Sequence, residues 1–421
     1  MRAFVTGTLT PTGLFIIRHL ARLGYEVTAA GHQRLDFCLY SNALSRKLYF
    51  PSVWYDPVGF ARAVINELRT GNYDIYVPVF EEGYVMSVFR EELARYTRCQ
   101  FMPFDAIMQV HDKTRSTALA QELGIPVPES TMMPESWDEV ERLARQVEYP
   151  VIMKLRKSCS GSGQRIAENP DQLLKAYRTI VKQFSIPESE LPLMQRFVKG
   201  SLLSSVTLAK DGEILGRVVF RGLHVYPIIG GTSCLKEVID RPDIDEYDAL
   251  LIKKLNWTGF MSFDYIEDSR TGKAYFIDAN PRLAPGAITA YIGGVDYLRT
   301  YIDMLYDRPV STLPRPPVGL RTRWQLTDVA ALLTSVGCPG FDFRGKLRYW
   351  RDWFRRGKCY DEVNSLRDPL PGLMAWVYSI LKLPLMMSKD GSEVFLQSQM
   401  FNRETFNLDE FEKEVAAAGG M

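Results

Sequence analysis

The sequence has little with which to build a disulfide framework or a zinc site. Its six cysteines, at positions 38, 99, 159, 234, 338 and 359, are scattered with no CxxC pair, and only four histidines are present. Neither sign of charge is in surplus: 51 Lys plus Arg stand against 50 Asp plus Glu, for a formal net charge of +1. A balanced chain has no overall attraction for nucleic acid or acidic membranes, so any such affinity must be local. No apolar run reaches the roughly 18–20 residues of a membrane span. The longest, Gly372 to Met387, is interrupted by Lys382 and Pro384, and the stretch from Met1 to Gly13 is too broken by Thr, Gly and Pro for a signal h-region. Reduced thiols, a cytoplasmic location and no nucleic-acid partner are expected.

Several catalytic signatures are also missing. Each Gly–Lys pair (272–273, 345–346 and 357–358) lacks the following Ser or Thr of a P-loop. No HExxH, GxSxG or kinase His-Arg-Asp motif is found, which removes support for a covalent serine triad.

What is there is ordinary globular usage: 421 residues, 46% hydrophobic and 24% charged. At roughly 100–200 residues per domain, this length predicts two to four units. Arg2 to Val5, Tyr25 to Ala30 and Asp74 to Val79 read as strands, and Leu14, Ile17, Leu20 and Leu23 recur at helical spacing between the first two. Strands alternating with helices predict a parallel sheet, hence an α/β Rossmann-like domain over 1–108. A middle unit over 109–310 reads as α+β. It opens with a helix from Asp112 to Leu123, continues with the strand Pro150 to Lys154 and a small-residue loop over 158–163, and has a hairpin signal at Lys210 to Gly212. Its last hairpin runs from Met261–Ile266 to Ala274–Asn280. Pro314 to Val318 marks a linker to a C-terminal extension, 311–421, of unclear fold.

Four pieces of the middle unit fit ATP chemistry. Lys113 opens the first helix, Lys154 ends the buried strand before the glycine loop, Asp264 lies on one strand of the last hairpin, and Asp278 and Asn280 lie two apart on the other. Residues i and i+2 of a strand share a face, so Asp278 and Asn280 project together, and Asp264 opposite them would complete three oxygen ligands. Mg²⁺ takes such a set, with phosphates and water completing its octahedron, while the lysines neutralise phosphate charge.

These motifs, in this order, resemble the ATP-grasp superfamily. The segment from Lys113 to Gly124-Ile125-Pro126-Val127-Pro128 is similar to its first lysine helix, and Pro150 to Lys154 with the following loop to its second lysine and phosphate cover. Phe263-Asp264 and then Asp278-Ala279-Asn280-Pro281-Arg282 resemble its metal-binding strands. Gly230 to Ser233 and the string Val363 to Pro371 look like the carboxylate–amine ligase branch. The resemblance implies a two-lobed catalytic module between the Rossmann-like domain and the extension. Lys113 and Lys154 would contact the phosphates of ATP, and Ser160, Gly161 and Gly163 would cover them. Asp264, Asp278 and Asn280 would hold Mg²⁺ (or Mn²⁺), and Arg282 would face the transferring phosphoryl group or the carboxylate. The adenine would lie between the lobes near Gln195 and Val198, where many relatives carry an acid and this chain has Gln195-Arg196. The implied activity is amide or peptide bond formation through an acyl phosphate, releasing ADP and phosphate, on small carboxylates and amines such as amino acids. The alternatives are a thiol acceptor, a reaction that stops at phosphorylation, or a silent nucleotide-binding module.

Three further features are weighed. Arg221, with His224 beside it, precedes the 230–233 loop and could clamp a carboxylate; the competing reading is a hairpin with solvated side chains. The Gly7–Gly13 loop lacks GxGxxG spacing and no acid ends the second strand, which argues against a dinucleotide site and favours this loop and Glu81 or Glu82 as a border of the substrate pocket. From Arg344 to Lys358 seven residues are basic and one acidic, with aromatics between them. The spacing predicts a helix that packs Leu347, Trp350 and Phe354 on the domain and solvates Arg348, Arg351 and Arg355; contact with a membrane surface or an anionic substrate is the other reading. Cys159 and Cys234 are expected as small fillers, and any oligomer as a homodimer.

Overall fold

The computed structural model describes residues 1–387 except 159, 160, 162, 185, 187, 229, 338–342 and 356, together with 411 and 413. The N-terminal domain alternates β1 (Arg2–Thr6), α1 (Pro11–Arg22), β2 (Glu26–Gly31), β3 (Leu44–Tyr49), α2 (Pro57–Gly71) and β4 (Ile75–Pro78), closed by α3 (Glu82–Met86) and α4 (Arg90–Leu93). Its sheet has the order β3-β2-β1-β4 and is parallel throughout, as the alternation predicts. Thr10 starts α1 by accepting the Gly13 amide at 2.9 Å on its hydroxyl, with Pro11 at the first helical position.

Then come α5 (Phe104–His111), α6 (Lys113–Glu122), β5 (Ser130–Met132), α7 (Trp137–Gln146), β6 (Val151–Lys154), β7 (Arg165–Ala167), α8 (Pro170–Phe184) and β8 (Leu193–Arg196). The four strands form a small antiparallel sheet, β5-β8-β6-β7. Helices α7 and α8 cover it through Val140, Ala144, Leu173 and Ile180. The larger lobe is built from β9 (Gly200–Lys210), β10 (Glu213–Tyr226), β11 (Thr232–Val238), α9 (Pro242–Lys254), β12 (Gly259–Asp268), β13 (Ala274–Asn280), α10 (Gly286–Ile292) and α11 (Tyr297–Leu305). The predicted hairpin joins β9 to β10: Asp211 and Gly212 both have positive φ, at 48° and 80°, as a two-residue turn of primed type requires.

The described part of the extension does not stand apart. β14 (Arg321–Arg323), α12 (Gln325–Gly337), α13 (Phe343–Phe354), β15 (Cys359–Asp361) and α14 (Leu370–Met387) follow, and the two strands extend the large sheet to β13-β12-β9-β10-β11-β14-β15. A boundary at 310 therefore cuts through a lobe. The string from Val363 to Pro371 ties this segment to the N-terminal domain: Arg18 donates to the Val363 carbonyl at 2.7 Å and to Asp368 at 2.9 Å, and Asp368 also accepts from the Ser41 hydroxyl at 2.6 Å.

The two faces of the large sheet bury different neighbours. Val206, Leu208, Val218 and Phe220 join α10, α11 and the N-terminal domain in one core. Leu203, Val219, Phe263 and Tyr265 face the other way, toward α5, α6 and α9. On that second face Asp248 of α9 accepts the Tyr265 hydroxyl at 2.7 Å, holding β12 in place, and burial pushes its carboxyl up to about 7. A folded-state pKa above the ordinary carboxylate value means that ionisation opposes folding, so this contribution falls as pH rises from about 4 to 7. Asp248→Asn keeps an acceptor for Tyr265 and removes the charge. Its melting temperature is expected to match the parent near pH 4 and to exceed it by several degrees at pH 8, measured by calorimetry; an equal midpoint at pH 8 would refute the buried-charge reading.

Candidate active site

Antiparallel pairing sets the centre of the site. Asp264 on β12 lies directly opposite Asp278 on β13, and Ser262 opposite Asn280, so the two carboxylates and the amide share one sheet face. On the same face Ser204 of β9 pairs with Asp264 and donates to its Oδ1 at 2.6 Å. Asn280 donates to Asp264 Oδ2 at 3.2 Å and accepts from Arg282 at 3.3 Å. The Arg282 guanidinium lies 4.3 Å from the ring centroid of Phe80, at the carboxyl end of β4. A single chain of contacts thus leads from the sheet of the large lobe to the N-terminal domain.

The lysines arrive from the small lobe. Asp112 caps α6, accepting the Thr114 amide at 2.9 Å, and pairs with Arg156 at 2.7 Å. Although burial raises the Asp112 carboxyl, the Arg156 partner brings it below the usual range. This cap fixes Lys113, whose ammonium is buried, 3.2 Å from Asp278 and donating to the Ser158 carbonyl at 2.7 Å. Lys154, at the end of β6, is buried too, and burial pulls its ammonium down to about 8, against the attraction of Asp278 and with Lys113 adding repulsion. Burial likewise pushes Asp264 up to about 6, with Asp278 adding to the shift.

These shifts test whether the groups fit Mg²⁺ and a polyphosphate. Two partly buried carboxylates oppose each other, a repulsion that a divalent cation relieves. Buried ammonium groups beside them need anions. Among the described residues no cluster of three His, Cys, Asp or Glu side chains forms a metal site, and a cation here would have Asn280 beside the two carboxylates as a third oxygen. The arrangement fits Mg²⁺ with phosphate.

Gln195 of β8 is fully enclosed; its Nε2 donates to the Ser130 hydroxyl at 2.9 Å while its Oε1 has no hydrogen-bond partner, an acceptor suited to a nucleotide's amino or hydroxyl group. Val198 is buried just beyond the same strand. In the glycine loop Gly161 has φ 74°, and a Cβ there would meet the Gly230 carbonyl oxygen at 2.0 Å, so only glycine lets the 158–163 and 230–233 segments touch. Gly163 also has positive φ, at 69°. Ser160 and Cys159 lie outside the described residues.

Other expectations are corrected. Arg221 pairs with Leu203, not with Ser204, and so projects from the opposite face of the sheet to Asp264. There it donates to both oxygens of Glu267, at 2.8 and 3.0 Å, in a network that includes Arg241. It is a structural ion pair, not a carboxylate clamp. His224 is neither solvated nor in the site: its Nδ1 lies 2.5 Å from Asp328 of α12, and its ring stacks on Tyr349 of α13. Glu82 accepts the amides of Val79 and Phe80, at 2.8 and 3.1 Å, and fastens the turn after β4. The residue of that turn that meets the site is Phe80. Cys234 is buried and its thiol pushed up by burial, in keeping with a filler. Ser204 and Phe80 are absent from the sequence reading; the apolar end of a parallel strand was a signal for Phe80, whereas Ser204 had none.

Comparison with known proteins bears on this geometry. Residues 112–203 match the family model described as the carbamoyl-phosphate synthase L chain, ATP binding domain. The 2-oxoglutarate carboxylase small subunit of Hydrogenobacter thermophilus is 28% identical over 241 residues, 54% of this chain. The chain covers 47% of that relative's length. In fold it is similar to biotin carboxylase from Campylobacter jejuni, in complex with β-γ-ATP, at a TM-score of 0.63 with 15% identity, covering 76% of this chain and 74% of that one. It is also similar to the L-amino acid ligase from Bacillus licheniformis, at 0.58 with 16% identity, covering 72% and 75%. The family model spans both lysines and Gln195, and the likenesses in fold agree with the order of motifs along the sequence: residues 112–203 are similar to the ATP-binding domain of the carbamoyl-phosphate synthase L chain, and the fold is similar to those of biotin carboxylase and L-amino acid ligase.

Proposed function

We propose that the protein is an ATP-dependent carboxylate–amine ligase. The observation that carries this reading is the convergence of Asp264, Asp278, Asn280, Lys113, Lys154 and Arg282 at one site. Such a set can position substrates and neutralise charge, which suits direct phosphoryl transfer. Asp264, Asp278 and Asn280 would hold Mg²⁺, which would supply charge neutralisation between the terminal phosphates.

Lys113 and Lys154 hold the phosphate oxygens, and Gln195 offers its unpaired oxygen to the nucleotide. Arg282 orients the acid substrate and the phosphoryl group, held flat by Phe80. A carboxylate oxygen forms a bond to the γ-phosphorus as the bond to ADP breaks. The amine nitrogen then bonds to the acyl carbon, phosphate departs with that oxygen, and the amine proton leaves to solvent. The similarity to an L-amino acid ligase supports amino acids as substrates, and the similarity in fold to a 2-oxoglutarate carboxylase domain in complex with bicarbonate adds that anion to the acids worth testing.

The test follows the oxygen. An array of acids and amines, bicarbonate included, is screened for ADP release. The active acid, labelled with ¹⁸O, is expected to pass one label to inorganic phosphate, with ADP accumulating. AMP carrying the label, together with pyrophosphate, would indicate adenylation and refute the mechanism. A stable labelled phosphoryl product would indicate a kinase, and no ADP release with any pair a silent binder.

A further inference from the structure

The face of α13 turned outward is the reverse of the one its sequence predicts. Gly345, Tyr349 and Asp352 are buried, and the Tyr349 hydroxyl accepts the Val225 amide at 3.1 Å. The stripe expected to pack is exposed: Phe343 is 78% accessible, Leu347 59%, Trp350 39% and Phe354 70%. At 100° per residue these two stripes lie on opposite sides of the helix. Trp350 and Phe354 stack on each other, with ring centroids 6.2 Å apart. The exposed Leu333 and Val336 of α12 continue the patch, because Lys346 of α13 donates to the Val336 carbonyl at 2.8 Å.

Beside this apolar stripe runs a basic one. Arg344, Arg348, Arg351 and Arg355 follow the spacing of Phe343, Leu347, Trp350 and Phe354, displaced by one residue. Arg351 touches Asp352 at 3.3 Å and Arg355 touches Glu237 at 3.3 Å; both arginines are exposed, and Asp352, the one acid between Arg344 and Lys358, is buried. Exposed tryptophan, phenylalanine and leucine flanked by arginine is the pattern of a helix lying in a membrane interface, with rings among the acyl chains and guanidinium groups at anionic headgroups. A second copy fits less well. A two-fold contact sets a patch against itself, and here it would bring two arginine rows together.

We propose that α13, with the end of α12, is a docking surface for anionic lipid bilayers. The whole chain is to be sedimented with vesicles of phosphatidylcholine alone and with vesicles in which about a third of the lipid is phosphatidylserine. Binding is expected only to the second kind, and is lost in about 0.5 M salt. The double variant Trp350→Ser/Phe354→Ser and the double variant Arg344→Glu/Arg348→Glu are each expected to lower it by at least ~10-fold while leaving ATP turnover in solution unchanged. Absence of binding, or equal binding to neutral vesicles, overturns the proposal. So does binding that the arginine variant abolishes and the aromatic variant leaves intact, which marks a plain anion site. If vesicles are ignored and the aromatic variant turns a dimer into a monomer, the face belongs to a second copy. If vesicles are ignored and that variant melts lower, it belongs to the rest of this chain.

Discussion

Asp278→Asn is expected to cut turnover by at least ~100-fold while leaving the fold intact. The substitution keeps the shape of the side chain and its place opposite Asp264, so β12 and β13 stay paired. It removes one of two carboxylates available to a divalent cation and deprives Lys113 of the partner 3.2 Å away. Loss of an anionic ligand weakens the cation more than the nucleotide, so the concentration of Mg²⁺ needed for half-maximal rate is expected to rise steeply and added metal to recover part of the activity. Removing Asp278 also relieves Asp264 of the like charge that helps to hold its carboxyl at about 6. Steady-state rates across a Mg²⁺ series, with circular dichroism for the fold, measure this. Near-normal rates at low Mg²⁺ would remove Asp278 from the metal site.

Lys154→Met is expected to weaken nucleotide binding by ~10–100-fold and to slow the phosphoryl step as well. Methionine fills nearly the same volume, so the comparison isolates the charge. Without phosphate, Lys154 is an ammonium that burial already disfavours, down to about 8. The empty variant is therefore expected to melt no lower than the parent, and the rise in melting temperature on adding ATP to shrink or vanish. A merely structural lysine would give the opposite pattern: a lower midpoint with the nucleotide shift preserved. Calorimetric titration and thermal melts separate the two, and unchanged affinity with unchanged turnover would return Lys154 to a structural role.

How far the sequence could be read depended on whether a feature was local. The strands of the N-terminal domain, the Asp211–Gly212 turn and the positions of Lys113 and Lys154 followed from period and punctuation within short windows. Asp278 and Asn280 shared a face because strand alternation is a property of one strand. Arg221 failed because its side of the sheet is set by its register with β9, where it lies opposite Leu203 and one residue from the active face. Ser204 was silent for the same reason, being significant only through Asp264 sixty positions later. Helix α13 shows a third limit. Periodicity located an apolar stripe, but which stripe is covered depends on which neighbours arrive, and Asp328, His224 and Val225 gather around Tyr349 instead.

The strands β14 and β15 bear on how this chain can be divided. A fragment ending at 310 would retain every group of the candidate site yet leave β11 as a bare rim, with the Cys234 carbonyl and the Val238 amide, which bond Trp324 and Leu320 in the whole chain, offered to any passing strand. It would also strip Lys236, entirely enclosed, of Glu362, its partner at 2.6 Å. An uncompensated ammonium in that position costs more than the lost pairing alone. The segment beyond the linker is thus the last two strands of the large sheet and the counter-ion for its interior, and trimming the chain to its recognisable motifs would yield a sheet with an adhesive edge in place of a minimal unit.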